Sequence, residues 1–215
     1  MCFIIELSVL LSDYGVIESK GGELLVAKYA ALCYLIGSIP FAYICTRLFH
    51  GGDIRYLGSR NVGTTNVVKQ AGWVAGLLTL VGDMFKGWLA AAIGALAPLG
   101  ELRSVMPAFA ILGHNWPLWL RFQGGGGLAT FVGSCLVFSD LKSALIGMAI
   151  WGVCYFFLRD HDQSALTACI SAPLLYAIVG DSLEVLVFYI SSSFVIALRR
   201  LQSMSLQQPW RKIQA

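Results

Sequence analysis

Charge is what this chain has least of. Lys and Arg number 15 and Asp and Glu 12, together 13% of 215 residues, where an ordinary soluble domain carries about a quarter. The net charge of +3 is small, which argues against a nucleic-acid partner. The six cysteines (Cys2, Cys33, Cys45, Cys135, Cys154, Cys169) form no C-x-x-C pair and lie mostly in apolar runs. That spacing fits neither a zinc site nor a disulfide framework, so they read as small buried hydrophobes. The apolar run Met1 to Leu11 has no basic residue before it and is broken by Glu6, which suits a signal peptide poorly. Residues 1–25 are expected to be an N-terminal extension, surface-lying or frayed. No inverted repeat is visible, which ranks a transporter last.

What the chain has in excess is apolar surface: 57% hydrophobic residues and a mean hydropathy of +0.72. The expectation is an all-α integral membrane protein with about seven transmembrane helices, some short or broken. A span needs about 20 apolar residues, fewer where side chains snorkel or the bilayer thins. The expected spans are Val26 to Phe49, Gly72 to Ala97, Val105 to Leu120, Leu128 to Phe138, Ser143 to Leu158, Ala165 to Val179 and Leu183 to Leu198. They make one membrane domain over 26–199, followed by a basic tail over 200–215. The fourth is too short alone and is expected to extend back through the glycines or to cross incompletely. Gly37, Ser38 and Pro40 in the first span suggest close packing and a kink.

Loop charge sets the orientation. With seven spans, one side holds Arg47, Arg55, Arg60, Lys69, Arg121, Arg159, Arg199, Arg200, Arg211 and Lys212. The other holds Lys20, Lys28, Arg103, Lys142 and most of the acids. The positive-inside rule places the C-terminus and both polar loops in the cytoplasm and the N-terminus outside.

Three features carry chemistry. The first loop reads Gly58-Ser59-Arg60-Asn61-Val62-Gly63-Thr64-Thr65-Asn66. Its glycines permit a tight turn with inward amides. Ser59, Asn61, Thr64, Thr65 and Asn66 offer neutral hydrogen-bonding groups, and Arg60 a planar fork suited to phosphate. Asn66 is also a candidate cap for the following helix. A solvated loop that only makes turns is the competing reading. The second feature is His114 with Asn115, then Gly124, Gly125, Gly126 and Gly127 before Leu128. Histidine accepts or donates a proton near neutrality, and glycines let backbone approach an anion; a flexible loop with a structural histidine looks the same. Trp116 and Trp119 read as interfacial anchors. The third is Asp83 and Lys86, three apart on one helix face and about 16 Å along the second span at 1.5 Å per residue. Such a pair is either functional or a fold-fixing ion pair. Asp160, His161 and Asp162 read as solvated charge rather than a metal site.

These segments together resemble the bacterial acylphosphate-dependent glycerol-3-phosphate acyltransferase family. The resemblance rests on Gly-Ser-Arg-Asn-x-Gly-Thr-Thr-Asn-Val, on Asp83-x-x-Lys86-Gly87, and on Gly-His-x-x-Pro with Phe122-x-Gly-Gly-x-Gly-x-Ala-Thr. Gly37-Ser38-Ile39-Pro40 and Ser171-Ala172-Pro173 add to it, over about Tyr34 to Arg199. It implies a seven-span plasma (inner) membrane enzyme of phospholipid synthesis, transferring a fatty acyl group from acyl phosphate to the 1-hydroxyl of glycerol 3-phosphate. The products are lysophosphatidic acid and phosphate, with no metal, cofactor or nucleotide. The expected catalytic residues are His114, Ser59 and Arg60. The expected binding residues are Asn61, Gly63, Thr65, Asn66, Lys86, Asn115, Gly124, Gly125 and Gly127. The partners are the two substrates and the lipid bilayer; oligomeric state is not legible.

The chain departs from the family where Gly126 stands for a lysine and Gln123 for another. Where the family has His-x-x-Asn-Ile-x-Arg-Leu after the last span, the chain reads Arg200-Leu201-Gln202-Ser203. Arg121, Lys86 and Arg200 are the cations available to compensate. The alternative reading is a catalytically impaired relative that binds acyl phosphate or lipid and regulates or scaffolds.

Overall fold

The computed structural model describes residues 20–139, 141–180 and 182–211; most of the expected N-terminal extension and the end of the tail lie outside them. The described chain is helical: α1 Lys20–Gly37, α2 Phe41–His50, α3 Thr64–Ala71, α4 Trp73–Leu96, α5 Met106–Asn115, α6 Leu128–Phe138, α7 Leu141–Leu158, α8 His161–Val179 and α9 Leu183–Arg211. Short 3-10 turns stand at Ile54–Tyr56, Gly100–Val105 and Leu118–Leu120.

The lipid-adapted character shows in which way the side chains point. On α4 the large apolar residues Leu77, Leu78, Val81, Phe85 and Trp88 are exposed. Its buried face is small or polar: Ala75, Thr79, Gly82, Asp83, Lys86, Gly87 and Ala90. A soluble helix has the reverse pattern. Between helices bathed in lipid, close backbone approach and polar contacts do the joining. Gly87 packs on the Thr130 carbonyl of α6, and Gly133 of α6 on the Met84 carbonyl of α4. The Ser134 hydroxyl bonds the carbonyls of Gly87 and Thr130 at 3.1 and 3.0 Å. Gly37 on α1 and Gly113 on α5 repeat this device, meeting the Ala110 and Tyr34 carbonyls.

The expected spans largely match helices, with informative differences. Gly22–His50 and Trp73–Leu96 are long and apolar enough to cross a bilayer. The first is interrupted at Ser38-Ile39-Pro40, because proline cannot continue the helical ladder. The third expected span ends as a helix at Asn115, the rest being the turn that carries Trp116 to Leu120. The last helix does not stop at Leu198 but runs to Arg211, so the first part of the expected tail is a continuation of α9.

Candidate active site

Both polar loops lie at one end of the bundle and touch. A Cβ built on Gly125 would overlap both the Val62 carbonyl and His114 Nε2, so the second loop's turn is wedged between the first loop and the histidine. His114 itself is buried at the last turn of α5. Its Nδ1 is 3.4 Å from Asp83 Oδ1, and Lys86 Nζ is 2.7 Å from the same oxygen. Lys86 also donates to the Ile39 carbonyl at 3.0 Å, beside the helix break that Pro40 makes. Asp83, Lys86 and His114 thus form one buried cluster. With Ser38, Ile39, Phe41, Val62 and Leu120 it lines a cleft of about 200 Å³ including its open mouth. With the Asp83 carboxylate beside Nδ1, the tautomer that carries its proton on Nδ1 is favoured and the Nε2 lone pair stays free, and Nε2 is the atom facing the glycine turn.

The first loop is braced, not floppy. Asn66 is buried and donates to the carbonyls of Leu57 and Asn61 at 3.0 Å each, while its Oδ1 accepts the Ser59 N–H at 3.2 Å. It does not cap α3, whose N-cap is Gly63; the carboxamide is used to hold the loop's shape instead. Ser59, Arg60, Asn61 and Thr65 are exposed and Gly63 is half-buried. Arg60 has φ of +60°, a left-handed conformation uncommon for a side-chain-bearing residue and often found at functional sites. Arg55 ties this loop to the next. It chelates Asp53 and donates to the Leu120 carbonyl at 3.2 Å. Its hydrogen bond, outweighing the opposing effect of burial, holds the Asp53 carboxyl below the usual range.

The glycine turn is gripped from the far end of the chain. Arg199 donates through Nε to the Gly125 carbonyl at 3.0 Å and through Nη2 to that of Gly124 at 2.7 Å. The Gly125 N–H donates to the His114 carbonyl at 3.1 Å. Gly127, at φ +82°, starts α6 in a backbone conformation that glycine adopts freely. Asn115 is fully buried; its Nδ2 reaches the Val195 carbonyl at 3.4 Å and its Oδ1 is unpartnered.

Two sequence readings need correction here. Trp116 does not serve simply as an anchor in lipid: its indole N–H donates to Gln202 at 3.0 Å and its ring lies under Arg199 at 5.8 Å. Asp162 is not solvated charge: it pairs with Arg200 at 2.8 Å, and Asp160 caps α8. Of the three proposed compensating cations, Arg121 is exposed, Lys86 is committed to Asp83 and Ile39, and Arg200 alone reaches the glycine turn. Asp162, Arg199 and Gln202 were missed as site residues. The one available signal was a pair of adjacent arginines closing an apolar helix in a charge-poor chain.

The sequence model of the family described as glycerol-3-phosphate acyltransferase matches residues 27–206. The chain belongs to that family. A glycerol-3-phosphate acyltransferase of Jannaschia sp. (strain CCS1) is 40% identical over 158 residues, covering 73% of this chain and 77% of the relative. One from Bordetella petrii is 38% identical over 163 residues, covering 74% and 76%. The crystal structure of an integral membrane glycerol 3-phosphate acyltransferase in its glycerol 3-phosphate form superposes with a TM-score of 0.72 at 29% identity, covering 86% of this chain and 93% of that one. Its lysophosphatidic acid form gives 0.69 at 28%. The chain is therefore a membrane-embedded acyltransferase, and glycerol 3-phosphate is its acceptor class.

Proposed function

We propose that this chain transfers a fatty acyl group from acyl phosphate to the 1-hydroxyl of glycerol 3-phosphate in the plasma (inner) membrane, with its seven spans placing the N-terminus outside and the C-terminus in the cytoplasm. The observation that carries this reading is Gly125 seated between Val62 and His114 Nε2. One histidine, one exposed arginine in a left-handed turn and two loops meet at the end of the bundle that also gathers Arg199 and Arg200. The positive charge at that end supports its cytoplasmic placement.

In the proposed reaction the acceptor hydroxyl oxygen attacks the carbonyl carbon of acyl phosphate. A carbon–oxygen bond forms to the acceptor, the carbon–oxygen bond to the phosphoryl group breaks, and phosphate leaves with the electron pair. His114 Nε2 receives the hydroxyl proton, and Asp83 at Nδ1 stabilises the imidazolium so formed. Ser59, Arg60, Asn61 and Thr65 supply donors for phosphate oxygens; Lys86 lines the cleft, and the buried Asn115 acts from behind the glycine turn, toward Val195. Gly63, Gly124, Gly125 and Gly127 let backbone close around the substrates, and Asn66 acts by holding the first loop. Phosphate is already a good leaving group, so no side-chain nucleophile is required.

The test is an assay of the protein in membranes with glycerol 3-phosphate as acceptor, offering acyl phosphate, acyl-CoA and acyl carrier protein conjugate in turn. Lysophosphatidic acid should form with acyl phosphate. Formation with another donor alone would overturn the donor assignment.

A further inference from the structure

Gly126 has lost no space by lacking a side chain: the space is filled. A Cβ built there would overlap the Arg200 guanidinium, which arrives from α9, 74 residues further along the chain. Arg200 is 8% exposed. Its Nη1 donates to Asp162 Oδ1 at 2.8 Å. Nη2 stands 3.5 Å from the Gly126 carbonyl oxygen, a marginal hydrogen bond, and Nε is buried with no partner. A guanidinium presents its Nε and Nη2 protons side by side, as a fork that matches two oxygens of a phosphoryl group. In this chain Asp162 takes the opposite end of the group, leaving Nε without a partner and Nη2 with only its long contact to the Gly126 carbonyl. A buried donor without an acceptor is costly and uncommon in a finished fold, and the fork lies one residue from Gly125, whose Cα abuts His114.

We propose that Arg200 is the phosphoryl-binding cation of the glycine turn, held at Gly126 by Asp162 with its Nε–Nη2 edge presented to substrate. Gly126 is then a requirement of this arrangement rather than a defect: any side chain there displaces the arginine. The proposal rests on the acyltransferase reading above. Its ligand is a phosphoryl group, from glycerol 3-phosphate or from the acyl donor.

The experiment measures kcat and KM for each substrate with purified Arg200→Gln, Arg200→Lys, Gly126→Lys and the double variant Gly126→Lys/Arg200→Ala. Inorganic phosphate binding by calorimetry is measured beside them. Arg200→Gln is expected to raise one KM about 10- to 100-fold, the loss of a charge-assisted hydrogen bond, with Arg200→Lys recovering part. A rise in KM for glycerol 3-phosphate assigns the acceptor's phosphate; a rise for acyl phosphate assigns the donor's. Gly126→Lys alone should lower activity by evicting the arginine, and the double variant should exceed Gly126→Lys. Both KM values within twofold of wild type in folded Arg200→Gln, or a gain in Gly126→Lys with Arg200 in place, would overturn the proposal. If wild type itself shows no turnover, the acyltransferase reading fails separately. Phosphate binding then decides for Arg200: binding by wild type that is lost in folded Arg200→Gln supports it, and equal binding by the two sinks it.

Discussion

Asp83 Oδ1 lies 3.4 Å from His114 Nδ1, and the same oxygen is 2.7 Å from the Lys86 ammonium. One carboxylate therefore serves two purposes: it neutralises an in-membrane lysine and fixes which imidazole nitrogen faces the glycine turn. His114→Gln is expected to lower kcat about 100-fold or more, the range of positioned proton transfer, with smaller changes in either KM. The acid limb of the kcat–pH profile should disappear with it. An unchanged kcat and profile would remove His114 from the chemistry.

Asp83→Asn strands the Lys86 ammonium, whose exposure is 2%. Breaking one half of a buried pair costs about 3–5 kcal/mol, so detergent-solubilised variant should unfold at clearly lower temperature. Asp83→Asn/Lys86→Met, which removes both charges, should regain much of that stability while activity stays low. Recovery of activity in the double variant would show that Asp83 has no part in orienting His114.

Gly125→Ala places a methyl into the Val62 carbonyl and the imidazole. The two loops must part, and turnover should fall at least about 10-fold, a barrier change near 1.4 kcal/mol, with the bundle still folded. Gly147→Ala is the control: a Cβ there meets nothing within 4 Å. Alanine is the better helix former by up to about 1 kcal/mol, so that variant should be as stable as wild type or more so.

The Asp53–Arg55 brace gives a pH signature. Because the folded carboxyl is held below its usual value by Arg55, its contribution is present above the unfolded carboxyl's pKa and is lost as pH falls through the folded one. Protection of 53–66 from hydrogen exchange, taken relative to the intrinsic rate at each pH, should therefore fall below about pH 4, where unperturbed Asp side chains titrate, and Arg55→Ala should be less protected at neutral pH and lose this acid dependence.

Asn66→Ala leaves two carbonyls and the Ser59 N–H without their partner, at a cost of about 1–3 kcal/mol for buried groups. Limited proteolysis within 57–66 should become faster. Loop cleavage at the wild-type rate would place Asn66 among groups that meet substrate rather than groups that hold the loop.

Much of this was written locally. Trp73–Leu96 is a continuous apolar run, so its helix and the shared face of Asp83 and Lys86 follow from length and a 3.6-residue period. Gly127 ahead of Leu128 announced the start of α6, and Pro40 announced a break. Asn66 was misjudged because an Asn near a helix start is equally suited to capping and to bracing a loop; only the carbonyls of Leu57 and Asn61 within reach of its side chain decide. The glycine at 126 pointed to a missing cation because the sequence shows which side chain is absent, not what fills the space.

The sequence alone determined that the chain is a helical membrane protein, which loops are polar, and which ionisable groups sit within apolar helices, since each depends on neighbours a few residues away. The tertiary structure decided which partners those groups meet. His114 finds Asp83, Gly125 finds Val62, and Gly126 finds an arginine from the last helix. Contacts between residues so far apart in the chain are set by how small side chains let the helices close upon one another, and no local pattern encodes that distance.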